Sequence, residues 1–217
     1  YTIGNEMNKL WFFGDSFCAS NQPESWCNIL QEKLGCSRPR WFGKPGRSIW
    51  SVFFQYNKLI ENNAVPDISI FCWTEPYRLY HPKHILTANT EPLEGVDPSM
   101  YKALDQYCIH LHNYDKDQMA YEYALKHYDQ NILSKVNSEI IQMWSFRPFE
   151  TAGKDAGIKL KTGTFIDESM LAFSKQGTED KSWKSSGVIN QCDLGINHMT
   201  IEQNQQWAEK IYGRLNI

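Results

Sequence analysis

Two residues near opposite ends of the chain have the chemistry of a nucleophile and its base. Ser16 follows the apolar run "KLWFF" through Gly14 and Asp15, and His198 stands in "CDLGINHMT", just ahead of the last predicted helix. A serine hydroxyl becomes a good nucleophile only beside a base, usually a histidine that a third group holds in place. Among the six histidines, His198 is the best placed, because Thr200 can cap the following helix and so fix the loop before it.

The elements that must position these residues alternate between strands and helices. Short apolar runs bounded by turn residues predict strands, and apolar residues at helical spacing predict helices. The predicted strands are residues 9–13, 39–43, 66–74 and 138–146. The predicted helices are 25–35, 48–63, one that begins near Pro98, 116–136, a short one at 167–174, and 200–216. The predicted apolar face of helix 116–136 holds Met119, Ala120, Tyr123, Ala124, Tyr128, Ile132 and Val136.

This alternation predicts an α/β fold, a three-layer α/β/α sandwich whose central parallel sheet is covered by helices on both faces. The length predicts a single domain, residues 1–217, with a proline- and histidine-rich insertion around 75–113. Ligands of such sheets bind outside the carboxyl ends of the strands. The residues predicted to lie there are Gly14-Asp15-Ser16, Gly46, Trp73-Thr74-Glu75 and the loop after Phe146.

Composition limits the classes of partner that the chain is predicted to bind. A net charge of −3 and a pI of about 6.1 are not typical of a protein that binds the phosphate backbone of a nucleic acid, so no nucleic-acid partner is predicted. No apolar run approaches the ~20 residues of a membrane helix, and no signal-peptide pattern opens the chain, so we predict no membrane partner and a cytoplasmic location. Six irregularly spaced cysteines indicate reduced thiols.

The remaining histidines and aromatic residues give weaker signals. The motifs "HPKH" (81–84) and "HLH" (110–112) lack the spacing of a zinc site, so no metal and no cofactor is predicted. Trp73, Tyr77 and Tyr80 either line a substrate groove, for a sugar or an acyl chain, or pack within the fold.

These motifs together carry a family resemblance. "FFGDSF" near the start, a glycine after the second strand in "GKPGRS", and "DLGINHMT" ahead of the last helix resemble the SGNH, or GDSL-type, hydrolase superfamily. The resemblance implies that Ser16 is the nucleophile and His198 the general base. It also implies that the backbone N–H groups of Ser16 and Gly46 hold the oxyanion, and that Asp15 fixes the turn.

The turn after the third strand departs from the family pattern. The family has an asparagine in a Gly-x-Asn-Asp turn as a further oxyanion donor, but here "WTEPYR" puts Trp73 at the glycine and Glu75 at the asparagine. An ionised glutamate accepts hydrogen bonds and cannot donate them. Three alternatives follow: Glu75 points away, Thr74 or Arg78 replaces the donor, or the oxyanion hole is weakened. Arg78 could instead form a surface ion pair with Glu75.

The acid that orients the histidine is a second departure. The family places an aspartate three residues before the histidine, and Gly195 stands there in this chain. Asp193 lies five residues before His198, and a bulge at Gly195 could still bring its carboxylate to the imidazole. Otherwise a backbone carbonyl orients His198 in a Ser-His dyad.

The predicted function is that of a serine hydrolase, an esterase or carbohydrate O-deacetylase, that uses Ser16, His198 and Asp193. Its predicted partner is a small acyl ester or an acylated carbohydrate, with Gly46, Thr74, Glu75 and Arg78 at the oxyanion or substrate. Acyl transfer to another hydroxyl is a close alternative. A different alternative is a binding or structural module on the same fold that has lost efficient catalysis, which Glu75 would explain.

Overall fold

Seven segments of the chain are described in a computed structural model, namely residues 9–19, 22–37, 39–76, 78–81, 97–147, 157–174 and 198–215. Their strands are β1 (Leu10–Phe13), β2 (Arg40–Trp41), β3 (Ile68–Trp73), β4 (Glu139–Trp144) and β5 (Thr164–Ser169). Their α-helices are α1 (Trp26–Leu34), α2 (Ile49–Glu61), α3 (Pro98–His110), α4 (Tyr114–Asn131), α5 (Met170–Ser174) and α6 (Ile201–Tyr212). Short 3₁₀ helices cover Ser16–Cys18 and Leu133–Lys135.

The strands of these segments form one sheet in the order β2-β1-β3-β4-β5, and every neighbouring pair is parallel. The predicted parallel sheet is confirmed, with one strand more than predicted. The additional strand, β5, begins between the predicted strand 138–146 and the predicted helix 167–174 and runs into that helix, which is itself shorter, Met170–Ser174. In sheets of this order the strand order reverses between β1 and β3, because successive strands are added on one side of β1 and then on the other, and the ligand crevice opens there.

The core lies on both faces of the sheet. Along β3, Ile70 belongs to a cluster with residues of α1, α5 and α6, whereas Phe71 belongs to a second cluster with residues of α2 and α4. This is the alternation expected of a strand buried on both faces. The predicted three-layer sandwich is therefore confirmed.

Local capping fixes two of the helices, as predicted. The Ser25 hydroxyl accepts the Asn28 N–H (3.4 Å), and α1 ends at Gly35 with a φ of 62°. At α6, Thr200 and Gln203 form a capping box: Gln203 N–H donates to Thr200 Oγ1 (3.1 Å) and Thr200 N–H donates to Gln203 Oε1 (3.0 Å). The cap of helix α6 is therefore fixed at Thr200, two residues after His198, and the helix itself begins at Ile201.

The buried face of α4 differs from the predicted one. Its buried residues are Tyr121, Leu125, Tyr128 and Asp129, whereas Met119 and Tyr123 are exposed. The buried set follows the i, i+4, i+7, i+8 spacing of a helix face. Sequence reasoning missed it because Asp129 is a charged residue whose partners lie on other elements.

Two further observations concern membranes and thiols. Among the helices of the described segments, none has the length and apolar content needed to cross a membrane. Five cysteines, Cys18, Cys27, Cys36, Cys72 and Cys108, are free thiols. Cys192 lies outside the described residues.

Candidate active site

The turn after β1 carries Ser16 to the carboxyl end of the sheet. A Cβ atom on Gly14 would lie 2.5 Å from the carbonyl oxygen of Cys72 on β3, so only glycine fits where the chain leaves the strand. Asp15 then caps the 3₁₀ helix, since its Oδ1 accepts the Phe17 N–H (3.1 Å). Ser16 begins that helix and is half-buried.

A buried ion pair lies directly beneath this turn. Arg78 Nη1 donates to Asp15 Oδ2 (3.1 Å), with Asp15 fully buried and the Arg78 side chain 11% exposed. The same Nη1 is 3.4 Å from the carbonyl oxygen of Arg47, and the guanidinium lies 4.8 Å from the centre of the Phe146 ring. The sequence left open a surface ion pair between Arg78 and Glu75. In the structure the Arg78 guanidinium is instead largely buried and pairs with Asp15.

His198 reaches the site from the other end of the chain. It stands just before α6 with a φ of 61°, and its ring centre is 5.0 Å from that of Phe17. Burial lowers the pKa of His198 below its ordinary value, the negative charge of Asp15 opposes this, and the positive charge of Arg78 adds to it. His198 therefore adjoins both neighbours of Ser16 in the chain, Asp15 by charge and Phe17 by contact.

The loop after β2 runs alongside the same turn. Lys44 N–H donates to the Gly14 carbonyl (3.3 Å), and a Cβ on Gly43 would come within 2.8 Å of the Asp15 carbonyl oxygen. Gly46 follows with a φ of 70°, a conformation that favours glycine, and is half-buried. The predicted oxyanion glycine thus belongs to a loop in close contact with the turn of Ser16.

Thr74 and Glu75 directly follow β3, the strand next to β1, and both are buried (2% and 4% exposed). The Thr74 carbonyl accepts the Tyr121 hydroxyl (2.6 Å). Among the described residues, Thr74 Oγ1 is one of six buried side-chain atoms without a hydrogen-bond partner. Because a buried hydroxyl without a partner costs free energy, such a group is a candidate for binding a ligand.

An asparagine on α6, which sequence reasoning passed over, ties the His198 loop to the fold. Asn204 is fully buried; its Oδ1 accepts the Trp26 N–H of α1 (2.9 Å), and its Nδ2 donates to the carbonyls of Met199 (3.2 Å) and Thr200 (3.0 Å). Its signal was a polar residue at a helical spacing otherwise filled by Trp207, Ala208 and Ile211. A buried amide in such a stripe requires partners.

Some predicted residues cannot be compared with this geometry. Asp193, Gly195 and Tyr77 lie outside the described residues, as does the whole stretch 82–96. Within the described segments, no three His, Cys, Asp or Glu side chains gather in a way that could hold a metal ion.

Comparison with known proteins gives likeness in fold. No family model and no curated protein matches the chain. A crystal structure of the psychrotrophic esterase EstA from Pseudoalteromonas sp., inhibited by monoethylphosphonate, aligns over 95% of this chain and 96% of its own, at 13% identity and a TM-score of 0.43.

A second solved structure is a protein assigned to the G-D-S-L lipolytic family of Desulfitobacterium hafniense. It aligns over 96% of this chain and 99% of its own, at 10% identity and a TM-score of 0.46. The chain is similar to these two proteins over nearly its full length, and the function proposed next depends on its own residues.

Proposed function

We propose that the chain is a serine hydrolase that cleaves an ester of a small acyl group. The single observation that carries this proposal is the position of His198, against Phe17 and within the field of Asp15, the two residues that flank Ser16. Asp15, Phe17 and His198 lie together at the carboxyl end of β1, beside the crevice between β1 and β3.

In this mechanism Ser16 Oγ attacks the ester carbonyl while His198 takes its proton. Burial favours the neutral imidazole, which is the form that can act as a base. The tetrahedral intermediate collapses when the C–O bond to the alcohol breaks, and His198 gives its proton to that alcohol. Water, deprotonated by His198, then attacks the acyl carbonyl; the bond between the acyl carbon and Ser16 Oγ breaks, His198 returns its proton to Ser16 Oγ, and the acid is released. If another hydroxyl compound replaces water, the same steps transfer the acyl group.

The oxyanion needs donors, and we assign three. The backbone N–H groups of Ser16 and Gly46 are assigned from the family resemblance, and the contact between their two loops supports this. Thr74 Oγ1 is assigned as the third donor, in place of the family's asparagine, because it is buried without a partner. One donor contributes about 3–4 kcal/mol to such a transition state.

Asp15, Arg78 and Asp193 have supporting roles in the proposal. Asp15 fixes the turn through Phe17 and lies close enough for its charge to act on His198. Arg78 holds that carboxylate in place. Asp193 is assigned to orient the imidazole, in place of the aspartate that the family has three residues before the histidine.

The second candidate function is a binding module that does not hydrolyse its ligand. Glu75 favours it, because a buried carboxylate stands where the family has an oxyanion donor. If this carboxylate occupied the oxyanion position, it would repel the negative charge that develops there. Measured turnover decides between the two functions.

The test is hydrolysis of p-nitrophenyl acetate by the parent chain and four variants. Ser16→Ala and His198→Ala should each lower kcat/KM by at least about a thousandfold, since each removes a reacting group. Ser134→Ala and His127→Ala are the matched controls, because both side chains are exposed and lie away from the carboxyl ends of the strands. A folded parent chain with no turnover, or Ser16→Ala with full turnover, would overturn the proposal.

A further inference from the structure

A cavity adjoins the candidate active site on the side of α2 and α4. Its volume is about 130 Å³, and its lining includes Trp50, Arg78, Tyr80, Tyr107, Asp117 and Tyr121. Pockets for drug-sized ligands measure ~300–1,000 Å³. This one, which we call the Trp50–Asp117 cavity, suits a single small ring.

Arg78 connects this cavity to the reacting residues. Its Nη1 donates to Asp15, the neighbour of Ser16, while its side chain also lines the cavity. Trp50 enters from the other direction, since it lies in the first turn of α2, four residues after Gly46. A group bound in the cavity would therefore lie beside an acyl group held at Ser16 and Gly46.

Two aromatic rings form the apolar part of the lining. Trp50 and Tyr80 are each 39% exposed, and both are held by neighbours on α2: Trp50 packs edge-on against Phe53 (5.7 Å between ring centres) and Tyr80 lies against Phe54 (5.9 Å). Rings supported in this way offer an amphipathic surface to a ligand at a small cost in entropy.

Charged groups of both signs form the polar part. The Asp117 carboxylate lies 3.2 Å from both His112 Nε2 and Lys116 Nζ, and a carboxylate has about four acceptor sites in all. Arg78 has about five N–H donors, and its contacts with Asp15 and Arg47 both use Nη1. The cavity can therefore both accept hydrogen bonds from a ligand and donate them to it.

An acyl chain would desolvate Arg78 and Asp117 without hydrogen bonds in return, which is costly. A sugar ring matches the whole lining, because its hydroxyls both donate and accept while its C–H face can rest on an aromatic ring. We propose that the Trp50–Asp117 cavity binds the alcohol part of the substrate and that this part is a sugar ring. This inference rests on the proposed function, and it makes the chain a carbohydrate O-deacylase.

Binding without turnover tests the subsite directly. The probes are a panel of O-acetylated methyl glycosides of glucose, xylose, galactose and N-acetylglucosamine, titrated into the Ser16→Ala variant by calorimetry and saturation-transfer NMR. We expect binding of at least one probe, weakened tenfold or more by adding Trp50→Ala and severalfold by Asp117→Asn. Tyr123→Ala is the matched control, because this tyrosine is 72% exposed on α4 and does not line the cavity.

Three outcomes separate the two proposals. Binding that depends on Trp50 and Asp117, with p-nitrophenyl acetate hydrolysed by the parent chain, supports both. Hydrolysis of the aryl acetate with no probe bound, or with binding that changes equally in Tyr123→Ala, overturns the sugar subsite alone. Sugar binding that depends on Trp50, in a chain that hydrolyses neither ester, overturns the proposed hydrolase and leaves a sugar-binding module.

Discussion

Two opposite charges act on one histidine. Asp15 favours protonation of His198 and Arg78 opposes it, while burial sets the overall direction and lowers the pKa. In the proposed mechanism His198 is the general base, and it must be neutral to take the proton of Ser16. Activity should therefore be lost only when the pH falls below this lowered pKa.

The first prediction concerns the pH profile of kcat/KM, which reports the pKa of the free enzyme's base. In the parent chain kcat/KM should rise with pH through a midpoint below ~6.5, the ordinary value for histidine, and be level at neutral pH. Arg78→Met should move the midpoint to higher pH, because a cation that disfavours imidazolium is removed. Asp15→Asn should move it to lower pH, because an anion that favours imidazolium is removed.

Stability and a charge control accompany this test. Arg78→Met leaves Asp15 buried and unpaired, so it should also cost about 3–5 kcal/mol in the free energy of unfolding. Lys44→Met removes an exposed cation from the loop after β2 and should leave the midpoint in place. Shifts of the same sign in Arg78→Met and Asp15→Asn would contradict the assigned roles.

The second prediction separates a catalytic from a structural role for the Thr74 hydroxyl. Thr74→Val keeps the shape of the side chain and removes a buried hydroxyl that has no partner among the described residues. If the Thr74 hydroxyl is an oxyanion donor, its removal should lower kcat about 10²–10³-fold. The melting temperature should stay the same or rise, because the substitution removes no hydrogen bond from the folded protein.

Thr74→Ser is the matched control, because it retains the donor and should keep most of the activity. Unchanged kcat in Thr74→Val would remove Thr74 from the oxyanion hole. A fall in melting temperature as large as the fall in activity would indicate a structural role instead.

At the scale of elements, Asn204 connects two helices and the loop that carries His198. Its side chain joins the first residue of α1 to the two carbonyls that follow His198. Because its contacts begin one residue after His198, we expect it to be a positioning residue. It holds the backbone that follows His198.

The third prediction follows from this link. Asn204→Ala leaves the buried Trp26 N–H without its partner, which costs about 1–3 kcal/mol. Freedom in the His198 loop should also lower kcat about 10- to 100-fold, because small misplacements of a reacting group are costly. Both kcat and KM are measured at a temperature well below the melting point. The exposed Gln206→Ala variant is the control. A lower melting temperature with unchanged kcat would limit Asn204 to a structural role.

Elements whose signals are local could be predicted from the sequence. The caps of α1 and α6, at Ser25 and Thr200, depend on residues three positions apart, and the pattern reveals them directly. The buried strand β1 is a continuous apolar run, and β3 is one that only Ser69 interrupts. The edge strand β5 was missed, because "TFIDES" is only partly buried and has weak alternation.

Features made by distant residues could not be predicted. The ion pair between Asp15 and Arg78 joins positions 63 residues apart, and nothing near either residue indicates it. The buried face of α4 was predicted only in part: Tyr128 is buried as predicted, but Met119 and Tyr123 are exposed, and Asp129 is buried because it finds its partners on β4 and just before β5. The assignment of Ser16, Gly46 and His198 came from motifs and a family resemblance, and stays a prediction until the chemistry is measured.

At the scale of the whole molecule, one buried carboxylate joins three parts of the fold. Asp129 on α4 accepts the Gln142 side-chain amide of β4 (2.6 Å) and the backbone N–H groups of Lys161 (2.8 Å) and Thr162 (3.0 Å) ahead of β5. Gln142 in turn accepts the Trp73 indole N–H of β3 (3.0 Å). The network thus holds the far half of the sheet to its covering helix.

The fourth prediction concerns stability alone. Asp129→Asn replaces a carboxylate that accepts three N–H groups by an amide with one acceptor oxygen, so at least one donor loses its partner. We expect a loss of about 3 kcal/mol, and a melting temperature lower by roughly 6–12 °C for a chain of this size. Glu139→Gln, an exposed carboxylate on β4, is the control. A melting temperature unchanged in Asp129→Asn would show that the network does not stabilise the fold.

The central claim is that Ser16 is a nucleophile activated by His198. A fluorophosphonate probe tests this most directly, because an activated serine displaces fluoride and keeps the phosphonyl group as a stable Oγ–P bond. We expect the folded parent chain to gain the mass of one probe less HF, with the modified peptide mapping to Ser16. Labelling should disappear in Ser16→Ala and His198→Ala and persist in Ser134→Ala. A folded parent chain that stays unlabelled, or a probe attached to another serine, would contradict the claim.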